Sequence, residues 1–285
     1  MLGTCPGAVA ADALELAGRL SALVAADADA VLGALLLDEA AAYADVHPLM
    51  VGALCELVAS RLQYTVETRQ RLLAAVLSCN LGQLHEQAAL ARPGPLPAEL
   101  LAVVQAHPAR SHALLRASGV DDPLWLELVL QHHERPDGSG YPQGLRGAAI
   151  NPLARLLSLA DIYCAMVLPR EYRTGIRAQQ AVRQIFLARG QAVDAGLAAD
   201  FIGEIGVFPP GSFVRLANGE TGVVVRRGAP RRESPLVSCI RSPRGGEYAR
   251  PLRRDCACDP RYAIADVLGR EPLSHPLPAL WSAAH

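Results

Sequence analysis

The stretch QHHERPDGSGYPQG, residues 131–144, places two adjacent histidines, His132 and His133, at the end of an apolar run. Neutral imidazole is a ligand for divalent transition metals, and histidine also moves protons near neutral pH. Two more histidines and an aspartate fall on faces that the apolar periodicity marks as inward. His47 is in line with Val51, Leu54 and Val58 at helical steps of three and four. His107 ends the run LLAVVQAH before Pro108, and Asp161 lies within the stripe Leu153, Leu157, Cys164 and Leu168. Taken singly, each histidine reads as a satisfied core or surface residue. Taken together with a buried carboxylate, which needs a cation, a donor or a proton, they read as a metal centre. Successive helix positions point about 100° apart, so His132 and His133 serve one pocket only at a helix end. The DGSG turn supplies that end. His85 and His112 have no such company and are read as structural.

The positioning elements follow from the same periodicity. Residues 8–200 carry helical patterns broken at DVHP, ARPGPLP, SGVDDP and RPDGSGYP, where proline and glycine interrupt a helix. One of these helices is expected to bury Leu73, Val76, Leu77 and Leu84, with Asn80 in the stripe and Cys79 beside it. After GVFPPGS come the short β-rich runs FVRL, TGVVV and LVSCI, with ANGE as a hairpin turn. The expected layout is N-terminal helices over residues 1–40, a helical domain over 41–206, a small β unit over 207–256, and a short helix with a Pro-rich tail over 257–285. Residues 1–40 are alanine-rich and either cap the domain or form a homodimer interface; the sequence favours neither.

Composition bounds the function. At 285 residues, one main domain with a smaller appendage is expected. No lysine occurs, which excludes a Schiff base, a lysine general base and a P-loop lysine. A net charge of -1 gives no overall pull toward nucleic acid or membrane. No uninterrupted apolar run approaches the roughly 20 residues of a bilayer span, the start lacks the pattern of a secretory leader, and seven cysteines cannot all pair. A soluble cytoplasmic protein is expected. The basic residues Arg226, Arg227, Arg231, Arg232, Arg253 and Arg254 are read as a solvated face of the β unit, and Cys256–Cys258 are too closely spaced for a zinc finger alone.

HHERPDGSGYPQGLRG resembles the HHExxDGxGYP signature of HD-GYP domains, helical HD-superfamily phosphodiesterases of the bacterial messenger cyclic di-GMP. The resemblance covers roughly residues 44–190 and implies a mainly α HD-superfamily helical bundle with a small C-terminal antiparallel β unit. It implies metal ligands at His47, His107, His132, His133 and Asp161, and ligand-binding contacts at Arg170, Tyr172 and Arg173 and in the loop built on Gly140, Tyr141 and Pro142. That loop implies a diguanylate cyclase-type protein partner. The chain departs from the family where the latter reads HDxGK. Here the sequence is CNLGQ, with Cys79 for the histidine, Asn80 for the aspartate and Gln83 for the lysine. Tyr43 replaces a glutamate that some members use for a third metal.

Electrostatics weighs these departures. Two dications about 3.5–4 Å apart repel by on the order of 17 kcal/mol at an effective dielectric near 20, so they need anionic bridges. Asn80 offers only a neutral oxygen, and Cys79 as a thiolate would place a soft anion elsewhere. The expectation is at most one tightly bound divalent transition metal (Fe, Mn or Zn), held by His107, His132 and His133. Two readings follow: a degenerate module that binds cyclic di-GMP, a related nucleotide or a partner with little hydrolysis, and an active phosphodiesterase with a rearranged site.

Overall fold

A computed structural model describes residues 8–86, 97–170, 174–228 and 235–282. The helical part comprises α1 (Ala8–Leu37), α2 (Tyr43–Arg61), α3 (Val66–Ser78), α4 (Ala98–Ala117), α5 (Pro123–Gln131), α6 (Pro152–Val167), α7 (Ala178–Ala188) and α8 (Ala195–Ile205). Their starts are chemically marked. Thr65, Asp122, Asn151 and Asp194 each accept a backbone N–H two or three residues on, and proline opens both α5 and α6. Gly206 closes α8 at φ 77°, a conformation that a side chain disfavours. Apolar faces of α1, α2, α3, α5 and α6 share one core, with Leu54, Leu72, Leu73, Leu128, Leu156 and Tyr163 fully enclosed.

Three sequence expectations need correction. Proline at DVHP does not separate helices: α2 begins at Tyr43 and carries Pro48 inside it, and α4 likewise runs through Pro108. The helix expected to carry Asn80 and Leu84 ends at Ser78. A 3-10 turn, Leu81–Glu86, follows, and Leu84 is exposed. The cause is Gly82, where an added Cβ would lie 2.6 Å from the His107 carbonyl oxygen and 2.7 Å from the Ser111 nitrogen. The backbone there presses directly on α4, which a continued helix with side chains could not do.

The third correction concerns the β unit. Its strands are β1 (Phe213–Leu216), β2 (Thr221–Arg226), β3 (Leu236–Arg241), β4 (Glu247–Asp255) and β5 (Ile264–Val267), in the antiparallel order β4-β3-β2-β1-β5. The fifth strand lies beyond the expected limit at 256. It pairs Val214 with Val267, giving β1 a second neighbour and making the short β5 the edge strand. The short helix comes later, as α9 (Leu277–Trp281), after the prolines. ANGE does form the β1–β2 turn, with Gly219 at φ 89°.

The β unit is fastened to α1. Asp27 interrupts α1 with an extended backbone, and its carboxylate restarts the helix by accepting from Ala30 N at 3.0 Å. The same carboxylate pairs with Arg226 at 2.9 Å, and Arg227 pairs with Asp29. Arg254 is bound in both arms to the buried Glu220. Arg227 and Arg254 are therefore partly enclosed clamps rather than part of a solvated face, whereas Arg226 stays exposed while pairing with Asp27; Arg231 and Arg232 lie outside the described residues. Trp281 donates to Val225 O at 3.0 Å and lies against Gly33, where any Cβ would overlap the indole. Among the described residues α1 alone is long and apolar enough to cross a membrane, yet its Ala17, Leu20, Val24 and Leu32 belong to the core.

Candidate metal centre

Three histidines converge from two helices. His107 lies in the middle of α4, and His132 and His133 follow the last residue of α5. Their ligating nitrogens all fall within 4.8 Å of one another. Backbone chemistry explains the orientation of the first. Pro108 has no N–H to give to the carbonyl four residues back, which is Val104. That freed oxygen instead accepts from His107 Nδ1 at 2.6 Å. His132 Nδ1 donates likewise to Val129 O at 2.7 Å, one of the carbonyls left over at the end of α5. A carbonyl only accepts, so both Nδ1 atoms carry the proton.

The consequence is that both Nε2 atoms carry lone pairs. They face each other at 3.0 Å, a distance at which two acceptors repel. Burial keeps both rings neutral, holding His107 down to about 4 and His132 to about 3. His133, half-buried and in contact with both rings, is also shifted well down by burial. Neutral, tautomer-fixed imidazoles with convergent lone pairs are the donor set a divalent transition ion takes, so these residues fit such an ion.

This arrangement has a pH signature. In the unfolded chain a histidine takes up a proton near pH 6.5, whereas His107 and His132 resist it down to about 4 and about 3. Between those limits the unfolded state binds more protons, so stability falls as pH falls. Chelator-treated protein is expected to lose on the order of 2–3 kcal/mol per histidine between pH 6.5 and 4. Urea midpoints at pH 7, 5.5 and 4 measure this, and His107→Gln should flatten the profile.

The loop that follows is built around Glu134, fully buried, whose role the sequence reading missed. Its two oxygens accept from Gln143 N at 2.6 Å and Leu145 N at 2.9 Å, closing residues 134–145 into a tight loop. The acid in HHE was the available signal. Gly140 permits the closure: a Cβ there would sit 2.4 Å from Arg135 N and 2.5 Å from His133 O. Tyr141 stacks on His133 at 4.8 Å, and the Tyr141–Pro142 bond is cis, with Pro142 exposed. Beside the loop an open cleft of about 480 Å³ is lined by Pro136, Asp137, Gly190, Gln191, Val193, Asp194 and Ala195, away from the histidines.

His47 and Asp161 form a second, smaller group between α2 and α6. His47 Nε2 is buried without a hydrogen bond and lies 3.5 Å from Asp161 Oδ1. Burial lowers the His47 pKa and raises that of Asp161; Arg170 is close enough to oppose protonation of both. Arg170 Nη2 donates to the Tyr43 hydroxyl at 2.8 Å, its guanidinium covers the Tyr43 ring at 4.5 Å, and that ring packs on His47 at 4.9 Å. Tyr172 and Arg173 lie outside the described residues.

The replaced pair does not complete either group. Cys79 is buried, its Sγ lies 3.3 Å from Val76 O as a donor, and burial pushes its pKa well up, which favours the thiol over the thiolate considered from sequence. Asn80 Oδ1 accepts from Gln83 Nε2 at 2.7 Å. The Cys79–Gly82 turn is fixed by the buried Ser111, one helical turn after His107, which donates to Cys79 O at 2.6 Å and accepts from Gly82 N at 2.8 Å.

Comparison with known proteins places the chain in a family. The family model described as HD domain matches residues 10–197. The cyclic di-GMP phosphodiesterase PA4108 of Pseudomonas aeruginosa is 30% identical over 235 residues, 82% of this chain and 56% of that protein. A 3'3'-cGAMP-specific phosphodiesterase of Vibrio cholerae is 34% identical over 145 residues, 50% of this chain and 33% of that protein. The chain thus spans 56% or less of the length of these two relatives. The structure of Bd1817, an HDG"Y"P protein from Bdellovibrio bacteriovorus, superimposes with a TM-score of 0.56 at 20% identity, covering 66% of this chain and 60% of that one, a likeness of fold.

Proposed function

The chain belongs to the HD domain family, in its HD-GYP-like branch, and from that premise we propose that it binds a cyclic dinucleotide of the cyclic di-GMP type while hydrolysing it little or not at all. The observation that carries this reading is the Asn80–Gln83 amide pair. Where the family has an acid and a base, this chain has two neutral amides, the Gln83 amide donating to the Asn80 oxygen. No carboxylate remains there to bridge two dications, whose mutual repulsion is on the order of 17 kcal/mol at an effective dielectric near 20.

His107, His132 and His133 would hold one divalent transition ion, Fe, Mn or Zn. Such an ion supplies Lewis-acid polarisation of a phosphate oxygen. The chain's own groups do the rest. Val104 O and Val129 O hold the two Nε2 lone pairs toward the pocket. Glu134 keeps the loop folded so that Tyr141 remains stacked on His133. The exposed Pro142 offers that loop to a protein partner, for which a diguanylate cyclase-type protein is the class the family resemblance suggests.

A second reading, hydrolysis from a rearranged site, draws support from the surviving His47–Asp161 pair and from relatives named phosphodiesterases. Calorimetry and product analysis on one Mn²⁺-loaded preparation separate the two. Saturable binding of cyclic di-GMP with no linear dinucleotide product after hours is expected. Turnover near 1 per second, within the ordinary enzymatic range of roughly 1–10³ per second, would establish the second reading.

A further inference from the structure

The sequence leaves capping and self-association as alternatives for the N-terminal segment, and α1 has a separate face for each. Ala17, Leu20 and Val24 pack into the core, whereas Asp12, Leu16, Arg19, Leu23 and Ala26 are exposed. The exposed five follow one another at steps of four, three, four and three, the spacing of a coiled-coil seam. Up to its break at Asp27, α1 thus turns toward solvent a line with the period that packs against a second helix. Leu16 stays 42% and Leu23 59% exposed, and neither touches the core. Between Ala8 and Ala26 the only charges are Asp12, Glu15 and Arg19, all exposed on or beside this seam. Arg19 pairs with Glu15 at 4.0 Å, both side chains 74% exposed, a contact that contributes little by itself.

The charges select the occupant. A helix that lies on a membrane surface carries a cationic polar face, and here two acids outnumber one base. Insertion across a bilayer would tear Ala17, Leu20 and Val24 out of the core. A second copy of the chain, by contrast, offers both signs. Parallel pairing sets Arg19 on Arg19 and Asp12 on Asp12, like on like. Antiparallel pairing centred near Leu16 turns Arg19 of each copy toward Asp12 and Glu15 of the other, brings the two Leu16 side chains together, and lays Leu23 on the first turn of the other helix. We propose that the outer seam of α1 is a homodimer interface, formed by antiparallel pairing with the same segment of a second chain. The two-fold symmetry makes each ion pair and each leucine contact occur twice. A single helix pair about 28 Å long falls below the roughly 1,200–2,000 Å² of a standard interface, so the dimer forms reversibly with concentration.

Sedimentation equilibrium of the full chain over a dilution series tests this. The unaltered chain should pass from monomer to dimer as concentration rises. Leu16→Glu combined with Leu23→Glu should raise the dissociation constant about 100-fold or more and keep the monomer's melting transition, since neither leucine belongs to the core. Arg19→Ala decides the orientation: an antiparallel pair should weaken about tenfold, whereas a parallel pair, relieved of facing arginines, would tighten. No change or tightening with Arg19→Ala overturns the antiparallel interface. A chain that stays monomeric at every concentration, or a dimer indifferent to the leucine pair, overturns the assignment of the seam. Flotation with phosphatidylglycerol vesicles, abolished by the leucine pair and unaccompanied by any dimer, would also overturn it and give the face to a lipid surface. If the double leucine variant does not fold, Arg19→Ala, whose side chain is 74% exposed, decides alone.

Discussion

Replacing Cys79 by His, Asn80 by Asp and Gln83 by Lys in one chain is expected to raise cyclic di-GMP hydrolysis by about 10²–10³-fold. That is the several kcal/mol of transition-state charge stabilisation a properly held ion supplies. All three changes are needed. Asn80 and Gln83 are hydrogen-bonded to each other at 2.7 Å, so an aspartate introduced alone would face the neutral Gln83 amide rather than a lysine. Cys79 sits with its sulfur against Val76 O and its backbone carbonyl on Ser111, so the turn that carries a new imidazole is already fixed. Steady-state assay of linear product, with metal counted on the same sample, checks the prediction. No gain despite a second bound ion would mean that contacts to the nucleotide, and not the metal centre, limit turnover.

His132→Gln should act in opposite directions on two measurements. The proposed ion would lose one of three nitrogens, and affinity is expected to fall by about 100-fold or more, beyond the usual cost of disturbing a ligand's outer partner. The metal-free protein should melt no lower than its parent. In the parent two lone pairs oppose each other at 3.0 Å, whereas a glutamine amide can donate to His107 Nε2. Calorimetric Mn²⁺ titration and thermal melting in chelator read the two effects. A merely structural histidine would show the reverse pattern, with unchanged metal binding and a lowered melting temperature.

How much of this was legible in the sequence depends on the range of each interaction. His132 and His133 announce themselves in a contiguous motif, and His47 and Asp161 through helical spacing, because such signals need only a few neighbouring residues. The helix carrying Asn80 was drawn too long because propensity does not register Gly82 pressed on α4, a contact between segments 25 or more positions apart. Pro48 and Pro108 looked like breaks. Pro108 instead releases Val104 O for His107, a local use of proline that a general rule about helix breaking hides. β5 was missed because a four-residue run, IADV, carries too little alternation to declare a strand without its partner β1. The Tyr43–Arg170 contact and the Glu134 clamp are side-chain geometry, which spacing does not specify.

The central claim is that the imidazole wall survives while the charge needed for two ions is gone. Elemental analysis of the unaltered full chain, loaded anaerobically with Mn²⁺ or Fe²⁺ and desalted, tests it most directly. One ion per chain, lost on His132→Gln, is the predicted result. Two or more ions per chain in a preparation that cleaves cyclic di-GMP at ordinary enzymatic speed would contradict it.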